Sequence, residues 1–110
     1  PQRNFIWWKF DTRTRQFTLA FRALALNAGN CGAEVVHEFM TANAIDWYND
    51  DNIEHTHPEL TPHRGVMYRG AVWIIDGVNM SQGTFQMHAR LDANDIAVEQ
   101  INNEAAYRLI

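Results

Sequence analysis

The chain has one cysteine, Cys31, among its 110 residues. A single cysteine cannot form a disulfide within the chain, and it cannot build a zinc site from cysteine ligands. Free cysteines in proteins behave mostly as small apolar side chains. We therefore expect a reducing compartment, the cytoplasm, and no role for cysteine chemistry.

Several motifs that identify a function are also missing. No apolar run reaches the roughly 18 residues that a membrane-spanning helix needs, so we expect no membrane partner. Ser81 lies in the sequence Asn-Met-Ser-Gln-Gly, which is not the Gly-x-Ser-x-Gly motif of a nucleophilic serine. The segment from Gly29 to Gly32 is too short for a phosphate-binding loop and lacks the lysine that follows one.

The composition is that of an ordinary soluble protein, with 46% hydrophobic and 20% charged residues. A chain of this length predicts a single domain over residues 1–110. Its net charge of −4 is unevenly distributed. Residues 1–32 carry five basic side chains and one acid, hence +4, whereas residues 33–110 carry four basic side chains and twelve acids, hence −8.

The basic segment could bind a nucleic acid through Trp7 and Arg13, by stacking and phosphate contacts. The net negative charge of the whole chain opposes that interpretation, because the phosphates of a nucleic acid repel an acidic protein. We therefore do not expect a nucleic-acid partner. Pairing of the basic segment with the acidic remainder, within the chain or across a homo-oligomer, is the favoured interpretation.

The first half predicts one strand and one or two helices. The aromatic run over residues 4–10 is typical of a strand. Residues 13–28 favour a helix by composition, but the alternation of Phe17, Leu19 and Phe21 keeps open a strand that forms a hairpin with 4–10. Residues 33–48 have broad apolar faces and an acid in the first turn, which predicts a helix.

The second half predicts two antiparallel strands and a terminal helix. Residues 66–75 and 84–91 read as strands, with a turn beginning at Asp76–Gly77. Residues 93–109 carry an apolar stripe at helical spacing. The expected fold class is therefore α+β, with a small, mostly antiparallel sheet packed against two or three helices.

Histidines are dense between residues 48 and 65. His55 and His57 would share one side of an extended segment, and with His63 they could bind a divalent metal ion. The spacing matches no defined metal motif, so the favoured interpretation is a solvated loop without a cofactor, and the metal site is the alternative.

The leading functional prediction is a small non-catalytic binding or protein-interaction module that forms a homo-oligomer or binds another protein. The alternative is a small hydrolase, lyase or isomerase, with histidine and aspartate as acid–base groups in a pocket. Its predicted catalytic residues are His37, Asp46 and His55. The predicted walls of the pocket, which would contact the ligand, are Trp47, Tyr48 and Trp73.

Overall fold

A computed structural model describes residues 5–26, 32–48, 62–90, 101 and 103–109. Within these residues the chain forms seven strands and the helix α1, and residues 101, 103 and 104 are also helical. In chain order, the elements are β1 (Phe5–Asp11), β2 (Gln16–Arg22), α1 (Ala33–Ala42), β3 (Asp46–Trp47), β4 (Gly65–Tyr68), β5 (Ala71–Asn79), β6 (Thr84–Arg90) and β7 (Ala105–Arg108).

The strands form one sheet in the order β3-β4-β5-β6-β2-β1-β7. Neighbouring strands are antiparallel except for β1 and β7, which are parallel. The predicted α+β class, with two or three helices covering a small sheet, is wrong, because the protein is mostly a seven-stranded mixed sheet with one helix.

Strand β2 settles the ambiguity over residues 13–28. The favoured helix is wrong, and the alternative hairpin with β1 is confirmed, since Phe17 pairs with Phe10 and Leu19 with Trp8. The turn between the strands is stabilised by Asp11, whose Oδ1 accepts a hydrogen bond of 2.9 Å from the Arg13 amide. That backbone hydrogen bond, with the Arg13 side chain, lowers the pKa of Asp11.

The helix predicted over residues 33–48 is correct for its first ten residues and wrong beyond Ala42. Asn43 ends it, donating its Nδ2 to the Phe39 carbonyl at 2.9 Å, and Ala44 has a φ of 56° that a helix cannot continue through. The chain then enters the short edge strand β3. No helix within the described ranges is long and apolar enough to cross a membrane.

The strand predicted over residues 66–75 is in fact two strands. Arg69 and Gly70 both have positive φ, at 53° and 75°, as a tight type I′ hairpin turn requires, and they join β4 to β5. The turn predicted at Asp76–Gly77 is also wrong, because both residues lie inside β5. The hairpin to β6 instead turns through residues 80–83.

The terminal helix predicted over residues 93–109 is wrong at its C-terminal end, where residues 105–108 form β7. Phe5 pairs with Ala105 and Trp7 with Tyr107. Residues 101, 103 and 104 are helical, as predicted, and residues 93–100 and 102 of that prediction lie outside the described residues. The sequence did not indicate β7 because one buried residue is followed by three exposed ones, so the strand lacks the alternation of apolar and polar side chains.

The inner face of the sheet, defined as the face that packs against α1, contains the core. One cross-strand row on it consists of Trp8, Leu19, Met87 and Ile75, all buried. From α1, the ring of Phe39 contacts the ring of Phe85 with centroids 5.2 Å apart. Burial of these large side chains is the main stabilising term of the fold.

The sheet is strongly rolled around this core. An ion pair joins Arg69, in the turn between β4 and β5, to Glu104, which precedes β7. In a flat sheet these positions would be roughly 20 Å apart at the usual spacing of neighbouring strands. The β4–β5 turn and the start of β7 therefore approach each other, and the inner face of the sheet is concave.

Candidate functional site

The outer face of the sheet carries a polar row next to the apolar one inside. Lys9, Thr18, His88 and Ile74 are cross-strand neighbours on β1, β2, β6 and β5. Lys9 is exposed, Thr18 is buried, and His88 is half-buried. Since side chains alternate between faces along a strand, the same pairing that builds the core also sets His88 on this outer row.

A β-bulge in β5 brings Asp76 to His88. Ile75 pairs with Met87 and Gly77 pairs with Gln86, so Asp76 is an extra residue with no partner of its own on β6. Gly77 has a φ of 131°, a backbone conformation that L side chains rarely adopt. Bulges of this kind redirect side chains and are common beside functional sites.

Asp76 and His88 are joined by a short contact of 2.6 Å between Oδ1 and Nδ1. A carboxylate only accepts hydrogen bonds, so Nδ1 carries the hydrogen and, in the neutral ring, Nε2 is left as an acceptor. The side chains are 27% exposed for His88 and 37% for Asp76, which leaves both within reach of solvent.

A groove of about 360 Å³ lies beside this pair. The groove is wide open to solvent, although its volume falls in the range of small-molecule sites. Asp76 is the one charged side chain among its lining residues, and Met80, which is 54% exposed, supplies apolar surface. The lining residues are Asp76, Gly77, Val78, Asn79, Met80 and Gln86.

Hydrogen bonds in the β5–β6 hairpin orient the two amide side chains of the groove. Asn79 Oδ1 accepts from the Ser81 hydroxyl at 2.9 Å and from the Gln82 amide at 3.1 Å. Gln86 Nε2 donates to Gln82 Oε1 at 3.3 Å and to Thr84 Oγ1 at 3.1 Å. Within the described part of the chain, Gln86 Oε1 and Asp76 Oδ2 therefore remain as acceptors.

A second ionisable group of residues, Tyr68, Arg69 and Glu104, lies where the ends of the rolled sheet meet. The Arg69 guanidinium carbon lies 5.2 Å from the centroid of the Tyr68 ring. Burial raises the pKa of Tyr68, although Arg69 acts in the opposite direction. Partial burial acts to lower the pKa of Arg69, but hydrogen bonds and charge interactions with Glu104 and Tyr68 together outweigh it, and the pKa is raised. The Arg69–Glu104 ion pair in this group connects the turn between β4 and β5 to the segment that precedes β7.

Three of the sequence-predicted site residues lie together at the β3 edge of the sheet, the edge opposite β7 in the strand order. Asp46 is exposed and Trp47 half-buried on β3, and Tyr48 follows, 45% exposed. The guanidinium carbon of Arg64 lies 5.2 Å from the centroid of the Trp47 ring, and the Tyr48 amide donates to the Gly65 carbonyl at 3.0 Å.

The other predicted residues are elsewhere. His37 is exposed on α1, and Trp73 is in the core with 1% exposure. His63 is exposed, with its amide donating to the Ile75 carbonyl at 2.7 Å. His55 and His57 lie outside the described residues, so the metal site they would form with His63 stays a prediction. Among the residues that the structure describes, there is no group of three or more potential metal ligands from His, Cys, Asp and Glu.

Sequence reasoning missed Asp76, Gln86 and His88 as site residues. One signal was present in the segment Trp-Ile-Ile-Asp-Gly-Val. Inward residues fall on Trp73 and Ile75 and then on Val78, so the alternation shifts by one at Asp76–Gly77. A shift of this kind indicates a bulge within one strand as well as it indicates a turn.

The chain was compared with known proteins at the level of both sequence and structure. No protein-family model, curated protein or solved structure gives a significant match.

Proposed function

We propose that this protein is a small non-catalytic binding module whose ligand occupies the groove on the outer face of the sheet. The observation that carries the proposal is the groove itself, which Asp76, Asn79 and Gln86 line at a bulge that depends on Gly77. A strained backbone conformation is retained where the surrounding structure requires it, and such positions cluster at ligand sites.

The chemistry of the lining favours binding over catalysis. Besides Asp76, it consists of two side-chain amides, a glycine, a valine and a methionine thioether. Such groups orient a ligand by hydrogen bonds and apolar contact, but they do not transfer protons at neutral pH.

The test is a titration of the labelled protein with butylamine, butyrate and 1-butanol, followed by the backbone amide signals in two-dimensional NMR. We expect at least one compound to shift the amides of Gly77, Asn79 and Gln86 in a saturable way. The amides of α1, which packs on the inner face, are the internal control. If none of the three compounds shifts the groove amides, the proposal is wrong.

Acid–base catalysis by Asp76 and His88 is the second candidate. The 2.6 Å contact favours it, because a carboxylate bound to Nδ1 orients an imidazole whose Nε2 can take up a proton. The reaction class stays that of a small hydrolase, lyase or isomerase. Hydrolysis of 4-nitrophenyl butyrate that is lost in His88→Gln and kept in His37→Gln would support it; equal rates in both variants would exclude it for esters.

We also propose that two copies of the chain associate through β7. Strand β1 already pairs with β2 and β7, whereas β7 is the last strand of the described sheet, with Tyr107 54% and Leu109 38% exposed. Exposed strand edges are common sites of strand addition. Light scattering should give a dimer that Tyr107→Lys weakens and Tyr48→Lys does not; a monomeric wild type would contradict this proposal.

The proposed compartment is the cytoplasm. Support comes from Cys31, the one cysteine of the sequence, which has no partner within the chain for a disulfide. Fractionation of cells that express the protein tests this, and recovery from an oxidising compartment would contradict it.

A further inference from the structure

We infer that the groove selects a small organic cation, a primary ammonium attached to a short apolar chain. This inference rests on the proposed function and adds the chemical class of the ligand. It follows from the charge of the lining, from the hydrogen-bonding atoms that the hairpin leaves available, and from the apolar surface beside them.

The first argument is the charge of the groove. The Asp76 carboxylate lines it directly. Three basic residues, Lys9, Arg22 and Arg90, also lie on the outer face. Lys9 is two strands away from His88, and Arg90 is at the other end of β6 from the hairpin. Arg22 is exposed and pairs with Thr84, but it does not line the groove. The distance along β6 from Gln86 to Arg90 is about 13 Å at the rise of an extended strand. Of the residues that line the groove, Asp76 alone is charged, and its carboxylate favours a cation.

The second argument is the set of available acceptors. Within the part of the chain that the structure describes, Asp76 Oδ1 is bound to His88, which leaves Oδ2, and Gln86 uses its amide nitrogen in the hairpin, which leaves Oε1. Both remaining oxygens accept hydrogen bonds, and an ammonium group offers three N–H donors to satisfy them. A carboxylate ligand would place acceptors against these acceptors and a negative charge against Asp76.

The third argument is the apolar surface of the groove. Met80, which is 54% exposed, lines the groove that Asp76 borders. A thioether side chain is flexible and polarisable, so it adapts to alkyl groups of different shape. The groove thus offers acceptors for the ammonium and an apolar contact for the chain attached to it.

The experiment compares butylamine with butyrate and 1-butanol on the wild-type protein by amide chemical shifts and calorimetry. We expect butylamine to bind most tightly. Asp76→Asn should weaken butylamine about tenfold or more, as loss of a charge-assisted hydrogen bond does. The control Glu38→Gln, which removes an exposed carboxylate from α1, should leave the affinity unchanged.

The outcomes distinguish the choice of a cation from the proposal of a binding module. If butyrate or butanol binds the groove amides and butylamine does not, the cation assignment is wrong while the binding module stands. If none of the three compounds binds, both the cation assignment and the proposed binding module are wrong. Should Asp76→Asn fail to fold, the ranking of the three probes on wild-type protein still decides, and equal affinities for butylamine and butanol would overturn the inference.

Discussion

The ring of Tyr68 meets the ring of Phe21 edge-on, with centroids 5.4 Å apart, although β5 and β6 lie between their strands. Three strand spacings amount to about 14 Å in a flat sheet. The contact therefore exists because the sheet is rolled, and Phe21 lies near the axis of that roll. It also contacts Phe5, Phe39 and Phe85.

Phe21→Ala should strongly destabilise the protein. Its side chain is fully buried, and its removal leaves a cavity among four rings, which lowers the free energy of unfolding by about 3–5 kcal/mol. Urea denaturation measures this. The control is Leu24→Ala, where the side chain is 69% exposed and the change should stay within about 0.5 kcal/mol. Equal losses in the two variants would contradict the rolled core.

Alkaline stability should depend on Tyr68. Burial raises its pKa above the ordinary value of 10.0, so the folded protein holds this proton more tightly than the unfolded chain does. The resulting stability is fully present below the unfolded pKa and is lost as the pH rises through the raised folded pKa. Tyr68→Phe should therefore lose less stability than the wild type between about pH 9 and 11.

Urea midpoints over that pH range measure the effect of Tyr68→Phe. The matched variant Tyr107→Phe alters a ring that is 54% exposed and should keep the wild-type alkaline loss. Parallel curves for the wild type and both variants would show that the Tyr68 phenol does not couple to folding.

Strand β6 could be read from the sequence, since Phe85, Met87 and Ala89 repeat with period two. The same alternation kept a strand open for β2, but the helix-forming composition of residues 13–28 favoured a helix there, wrongly. The hairpin turn at Arg69–Gly70 could not be read from the sequence, because Arg69 is a rare residue at positive φ and only pairing with β5 stabilises it there. For the candidate site, the alternation placed His88 on an outer face, but its contact with Asp76 depends on a bulge that no local propensity encodes.

Gly77→Ala should disrupt the Asp76–His88 contact. A Cβ at Gly77 meets open space, but the φ of 131° is costly for alanine, and we expect a loss of about 1–3 kcal/mol unless the bulge rearranges. Thermal denaturation and the His88 ring signals in NMR report the two outcomes. Gly32→Ala, at a glycine with a φ of −67° and open space, should leave the His88 signals unchanged. An unaltered His88 environment in Gly77→Ala would contradict the bulge argument.

The ion pair between Arg69 and Glu104 should contribute modestly to closing the rolled sheet. Both side chains are partly buried, at 32% and 22% exposure, so a double-mutant cycle with Arg69→Met and Glu104→Gln should give a coupling of up to about 1 kcal/mol. The matched cycle on Asp11 and Arg13, where Arg13 is 88% exposed, should give no measurable coupling. A null result in the first cycle would mean that the core alone holds the ends of the sheet together.

The most direct test of the central claim is to locate a bound probe. Intermolecular nuclear Overhauser effects between the alkyl protons of butylamine and the methyl groups of the wild-type protein show where the chain of the ligand lies. The account predicts contacts to the Met80 methyl group, and their loss in Asp76→Asn but not in Glu38→Gln. Contacts confined to other methyl groups, such as those of the 41% exposed Val72, would contradict it.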